Sequence, residues 1–222
     1  MEKENYVLDN FEREDFEDVL LFFLKHYKIE LNEQESEILS FKELVELILD
    51  SIHSEDSSEC TFQQIFYKLR NSIQKHTKYH KKILPTTQLI DIFPSKGRII
   101  TLSKIERDLG FKLNILQPKE WILKTLFVFI LLSFVILLIK FAVGFPMLLA
   151  SILLLTFVYV YGKELKGKTV RDLIHKSSIE NYDNFRRNKE TINKNEFRQV
   201  IYNWFEEYTE FSKTKLEKIQ FK

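Results

Sequence analysis

Hydrophobic and polar positions follow two regimes along this chain. From Thr125 to Tyr161 the sequence is nearly unbroken Leu, Phe, Ile and Val, with one charge, Lys140, and a Gly144-Phe145-Pro146 break near its middle. Elsewhere apolar residues recur three and four apart, the spacing of one face of a helix. A bilayer core of roughly 30 Å is crossed by about 20 helical residues at 1.5 Å rise each. The apolar block therefore predicts a two-helix membrane hairpin. Its first helix covers about 121–143. Its second opens at Pro146, since proline is tolerated in a first turn, and reaches Tyr161. A hairpin entering one leaflet only and a buried soluble pair are the alternatives.

The flanking regions read as amphipathic helices. Phe16, Val19, Leu20, Phe22, Phe23 and Tyr27 mark the first. Ser40-Phe41-Lys42-Glu43 is a capping box that opens a helix to Ile52. Phe62, Ile65, Phe66, Leu69 and Ile73 mark a third helix over 61–75. A turn at Pro85 leads to a short apolar run, 89–93, which Pro94-Ser95-Lys96-Gly97 breaks. A helix over 99–109 closes at Gly110, and 113–118 is an extended link. Beyond the membrane block, Thr169 caps a short helix through Ile174, and 181–193 reads as a loop or weak helix. A strong helix over 195–211 carries Phe197, Trp204, Phe205 and Tyr208. The expected fold class is all-α. The expected segments are an acidic helical region (1–60), a basic helical region (61–120), the hairpin (121–162) and a C-terminal helical tail (163–222).

Charge sets the expected orientation. Net charge is +1 overall, but residues 1–60 hold 18 acidic and 5 basic side chains, and residues 61–124 hold 13 basic and 4 acidic. Lys112, Lys119 and Lys124 precede or open the first membrane helix, and Lys163, Lys166, Lys168 and Arg171 follow the second. The positive-inside rule then puts both termini in the cytosol, with Lys140 able to reach the far headgroups. Trp121, Tyr159 and Tyr161 fall where an aromatic belt would stand, beside Lys124 and Lys163. The basic collar suits anionic lipid, so membrane lipids are expected partners and nucleic acid is not.

The remaining signals for chemistry are thin. Cys60 is the single cysteine, so no intramolecular disulfide can form. His76 and His80 share a helix face but sit among lysines, which repel a cation, so no metal is expected. The run Glu12, Glu14, Asp15, Glu17 and Asp18 reads as a solvated helix entrance and as a candidate face for a basic protein partner. Trp204 and Phe205 read as core of the tail, or as partner-facing if another chain completes it.

A resemblance runs through Thr61-Phe62-Gln63-Gln64-Ile65-Phe66-Tyr67-Lys68-Leu69-Arg70, Leu84-Pro85-Thr86-Thr87-Gln88-Leu89, Phe93-Pro94, Leu109-Gly110-Phe111-Lys112-Leu113 and Leu116-Gln117-Pro118 to Trp121. It continues at Thr169-Val170-Arg171-Asp172-Leu173. In these segments the chain resembles a group of uncharacterised bacterial two-helix membrane proteins whose soluble parts look like acyl carrier proteins. A carrier domain bears phosphopantetheine on the serine of an Asp-Ser-Leu motif. That motif is missing here: Ser40 is followed by Phe41, Ser95 lies between Pro94 and Lys96, and Asp50-Ser51-Ile52 ends a helix. Ser95 and Ser40 are the weak candidates for such a modification, and no cofactor is expected.

The resemblance and the composition together lead to a non-enzymatic bacterial inner-membrane protein whose carrier-like helical modules bind another protein. An immunity protein that neutralises a basic or membrane-acting toxin is the first alternative, and a membrane-tethered acyl carrier the second. A toxin, a lipid-synthesis enzyme and a second copy of the chain are the candidate partners.

Overall fold

A computed structural model describes residues 6–31, 40–209 and 211–221. In chain order its helices are α1 (Asn10–Tyr27), α2 (Phe41–Asp50), α3 (Thr61–His76), α4 (Leu89–Ile92), α5 (Arg98–Leu109), α6 (Glu120–Ile139), α7 (Phe141–Val160), α8 (Val170–Phe185), α9 (Lys194–Tyr208) and α10 (Lys213–Leu216). Six two-residue strands lie between them: β1 (Tyr6–Val7), β2 (Glu55–Asp56), β3 (Leu116–Gln117), β4 (Glu164–Leu165), β5 (Thr191–Ile192) and β6 (Ile219–Gln220). The described residues are mostly helical, as the periodicity predicts.

The chain forms two compact units, 1–67 with 177–222, and 68–176. Residues expected to form a separate C-terminal tail therefore complete the N-terminal region. Linear segmentation at 60, 120 and 162 does not coincide with these units, because long-range apolar contacts draw the boundary.

In the first unit α9 is the central element. Its Phe197, Val200, Ile201, Trp204 and Phe205 are buried together with Phe16 and Phe23 of α1 and with Phe41, Leu44, Val45 and Ile48 of α2. Phe16 stacks on Phe205 at 4.7 Å, and Phe23 and Phe41 meet Trp204 and Phe205 edge-on at 5.3 and 5.0 Å. Edge-on and offset rings set the positive rim of one against the negative face of another, worth about 0.5–1.5 kcal/mol per pair beyond area burial. Two parallel ladders join distant segments: β1 with β6 and β2 with β5. The Thr61 N–H donates to Glu196 Oε2 at 2.7 Å, tying the start of α3 to α9.

Caps fix the helix entries. Asp9 and Glu12 form a capping box on α1, and Ser40 and Glu43 form the predicted one on α2. Thr169 and Asp172 exchange hydrogen bonds at the start of α8. That helix runs on to Phe185, past the expected end at Ile174, with non-helical angles at Asn181. Burial of Ile179, Tyr182 and Phe185 in the first unit favours the extension.

The second unit is stitched across the two apolar helices. β3 pairs antiparallel with β4, and the Lys166 N–H donates to the Ile115 carbonyl at 2.7 Å. The Leu89 N–H reaches the Lys168 carbonyl at 2.8 Å, while the Val170 and Arg171 N–H groups reach the Thr87 and Pro85 carbonyls at 2.9 and 2.8 Å. The chain before the hairpin thus pairs with the chain after it. Leu69, Ile73, Ile83, Leu89, Phe93, Leu102, Ile105 and Leu173 supply buried apolar surface. Gly110 closes α5 in the left-handed region, at φ 85°, as expected.

Candidate functional site

The hairpin is the feature with a definite physical task. α6 and α7 are 20 residues each, about 30 Å long at 1.5 Å per residue. Both are long and apolar enough to cross a membrane. Only 11% and 6% of their most apolar stretches is buried. Phe127, Phe134, Leu138, Phe141 and Leu153 are all at least half exposed. The core helix of a soluble protein would hide such a surface, and a contiguous apolar face of this extent marks contact with lipid or another protein.

The helices meet through small residues. Ser133 is buried; its hydroxyl donates to the Phe129 carbonyl at 2.7 Å and lies 3.4 Å from the Ser151 hydroxyl. Ser151 in turn donates to the Met147 carbonyl at 2.8 Å. Each hydroxyl is satisfied within its own helix, so neither brings an unpaired donor into apolar surroundings. A Cβ on Gly144 would stand 2.2 Å from Leu137 Cα, so this glycine lets α7 approach the α6 backbone.

The break between the helices differs from expectation. It falls at Lys140 (φ −140°, ψ 90°), not at Gly144 to Pro146. The Val143 and Gly144 N–H groups both reach the Lys140 carbonyl, so α7 opens at Phe141 and Pro146 lies one turn inside it. The charge rather than the Gly-Pro pair occupies the turn, and Gly144 packs against the α6 backbone.

Of the expected interface residues at the open end, Lys124 and Tyr159 line one groove. Trp121 and Lys124 lie in the first turns of α6, and Tyr159, Tyr161 and Lys163 at the end of α7, all exposed. Lys124 pairs with Glu120 at 3.2 Å. A groove of about 350 Å³ runs between Leu123, Lys124, Phe127, Ile130, Leu155 and Tyr159.

Arg98 is the residue that sequence reasoning misses. It is 5% exposed; its Nε donates to the Phe93 carbonyl at 2.8 Å and its Nη1 to the Lys163 carbonyl. Burial lowers its pKa, against the opposing pull of Glu164. The guanidinium thus fastens the start of α5 to the chain leaving the hairpin. Nothing in its neighbourhood in the sequence distinguishes it from the other basic residues of the collar.

The partner candidates separate. Glu14, Asp15, Glu17 and Asp18 are exposed on α1. Glu12 is structural: it accepts from the Tyr6 hydroxyl at 2.5 Å and from the Asp9 N–H, and it pairs with Lys215 at 3.1 Å. These contacts, the Tyr6 hydroxyl foremost, hold its pKa below the usual carboxylate value. Trp204 and Phe205 are fully buried, so they form core and present nothing to a partner.

The serine candidates have local duties. Ser40 Oγ accepts from the Glu43 N–H, and Ser51 donates to the Leu47 carbonyl. Ser95 is exposed in the turn before α5, whose N-cap is Gly97. His76 lies 3.5 Å from Asp108, which also accepts from Ser72 and Lys75. These partners, Lys75 first, draw the Asp108 pKa down to about 2. No cluster of three metal-ligating side chains occurs among the described residues.

Cys60 is exposed, and burial together with Glu196 raises its pKa, so its thiol is not activated. Two adjoining clefts of about 320 and 440 Å³ lie beside Tyr27, Lys28, Asp183 and Arg186 in the first unit. Arg186 spends its donors on Asp183 and on the Thr191 and Lys189 carbonyls, which makes it a wall of the clefts. Scans against protein-family models, curated proteins and solved structures each return no match to this chain.

Proposed function

We propose that this chain is a non-enzymatic protein of the bacterial inner membrane, with both termini cytosolic, that presents helical carrier-like modules for binding another protein. The observation that carries this reading is the exposure of α6 and α7: two apolar helices of membrane length, 11% and 6% buried, clamped at one end by β3 and β4. Lysines at that end and a neutral surround at the Lys140 turn support the cytosolic orientation. The sequence resemblance to carrier proteins comes without the Asp-Ser-Leu motif, which supports a binding role over a modified serine. The exposed carboxylates of α1 supply a face for a basic partner, and they also suit the second reading, an immunity protein against a basic toxin.

Cys60 offers a direct test, being exposed and the single cysteine. After alkaline carbonate extraction the protein stays with the membrane pellet. A membrane-impermeant maleimide labels Cys60 in inside-out vesicles and not in right-side-out ones. Release by carbonate rejects the membrane reading, and labelling from outside rejects the orientation.

A further inference from the structure

Two exposed stripes on different helices have the same spacing and opposite charge. On α1, Phe11, Asp15 and Asp18 stand at positions 0, +4 and +7 of one helix face, with Phe11 81% exposed. On α5, Ile100, Lys104 and Arg107 repeat that spacing, with Ile100 64% exposed. At about 100° per residue each trio keeps to one side of its helix. The buried residues of α5, Arg98, Leu102 and Ile105, lie off this stripe. The four charged groups make no ion pair or hydrogen bond among the described residues. Each stripe thus has an exposed large apolar residue at its head, followed by two charges of one sign that have no partner among the described residues.

We infer that α1 of one copy docks in parallel on α5 of a second copy, Phe11 against Ile100, Asp15 against Lys104 and Asp18 against Arg107. The inference rests on the reading of the chain as a membrane-held interaction protein and names its partner as the chain itself. Charge complementarity selects the occupant: the stripe on α1 belongs to a region of net −13 and that on α5 to a region of net +9. The spacing match sets the register, since a slip of one residue would turn the charges away from each other. The contact is heterologous, one patch meeting a different one, so in a pair one copy keeps a free α5 and the other a free α1 for further neighbours. Confinement to a membrane raises the effective concentration of copies that share one orientation, which lets a small contact form.

The test uses full-length protein in liposomes at low salt, as two populations carrying a donor or an acceptor dye on Cys60. Variant one carries D15K and D18K; variant two carries K104E and R107E. Unmodified populations transfer energy, and each variant alone loses about tenfold in association. Mixing variant one with variant two restores transfer, because the reversed α1 then faces a reversed α5. Absent transfer between unmodified populations overturns the inference, whether α1 instead meets α5 within one copy or binds a different basic protein. Full transfer in either variant alone also overturns it. D15N/D18N and K104Q/R107Q keep side-chain size, so they guard against misfolding of the reversed variants. Each lowers transfer, and retention of full transfer in both overturns the inference. Flotation of every variant with the liposomes reports membrane insertion separately, so failure of the docking and failure of the membrane reading are told apart.

Discussion

The two tryptophans of this chain stand at opposite extremes. Trp204 is fully buried, within about 5 Å of Phe22, Phe23, His26 and Tyr208, measured between ring centres. Trp121, at the start of α6, is 64% exposed. The same contrast separates α9 from the hairpin as a whole. α9 alternates apolar and polar residues and needs only one covered face, which α1 and α2 supply. α6 and α7 are apolar all round, and two helices cannot cover one another on every side. Burial in the first unit comes from protein, and in the hairpin it must come from outside the chain.

The largest test of this contrast is truncation of each tryptophan. Trp204→Ala costs about 3–5 kcal/mol, the range for a buried large aromatic, and lowers the denaturant midpoint of the first unit. Trp121→Ala leaves the stability of the second unit within about 0.5 kcal/mol of the unmodified protein, as expected away from packed features. Equal effects would break the comparison. Next is Gly144→Ile, which forces a side chain into the Leu137 backbone and spreads the helices. A loss of about 1–3 kcal/mol in hairpin stability is expected, measured by thermal unfolding in detergent. An unchanged melting temperature would mean that the helices do not need this approach.

Arg98→Met tests the clamp below the hairpin. It removes hydrogen bonds from a charged donor, at about 1.5–3 kcal/mol each, and relieves the burial of its charge, so the net loss is smaller than their sum. Faster amide exchange at Lys166 is the readout, since its N–H donates to the Ile115 carbonyl just past β4, close in sequence to the Lys163 carbonyl. The smallest effect is electrostatic. Asp108 has a folded-state pKa of about 2, below its unfolded value near ~3.9. Its contribution to stability is therefore complete above pH ~4 and is lost as pH falls through about 2. Asp108→Asn flattens the acid limb of stability in that window, followed by circular dichroism. A limb unchanged by the substitution would remove Asp108 from the account.

Much of the helical pattern was legible because it depends on near neighbours. The Ser40 capping box, the helix over 61–75 and the Gly110 stop each need only a few adjacent residues, and all three stand in the structure. The hairpin turn is displaced from Gly144-Phe145-Pro146, which has the composition of a break, because the approach of Gly144 to Leu137 depends on the two helices folding back on one another. The end of α8 was missed for a similar reason: Tyr182 and Phe185 look polar-flanked in sequence and are buried only by the core they join.

Among the candidate site residues the same division holds. Solvation of Glu14, Asp15, Glu17 and Asp18 follows from their place at an acidic helix entrance, and exposure of Trp121, Lys124, Tyr159, Tyr161 and Lys163 from their place beside the apolar block. The roles of Glu12 and Arg98 do not follow from sequence. Glu12 depends on Tyr6 and Lys215, and Arg98 on the carbonyl of Lys163, 65 residues away.

By itself the sequence determined most of the helical segments, that two of them have the length and apolarity of membrane helices, and that charge is divided between an acidic and a basic region. These properties reside in spacing and composition, which act over a turn or two of chain. The tertiary structure alone decided that residues 177–222 complete the N-terminal unit, that Trp204 and Phe205 are core, and that Arg98 and paired strands close the base of the hairpin. Those outcomes depend on which surfaces meet between segments far apart in the chain, 65 residues for Arg98 and Lys163, and no local pattern encodes a meeting at that distance.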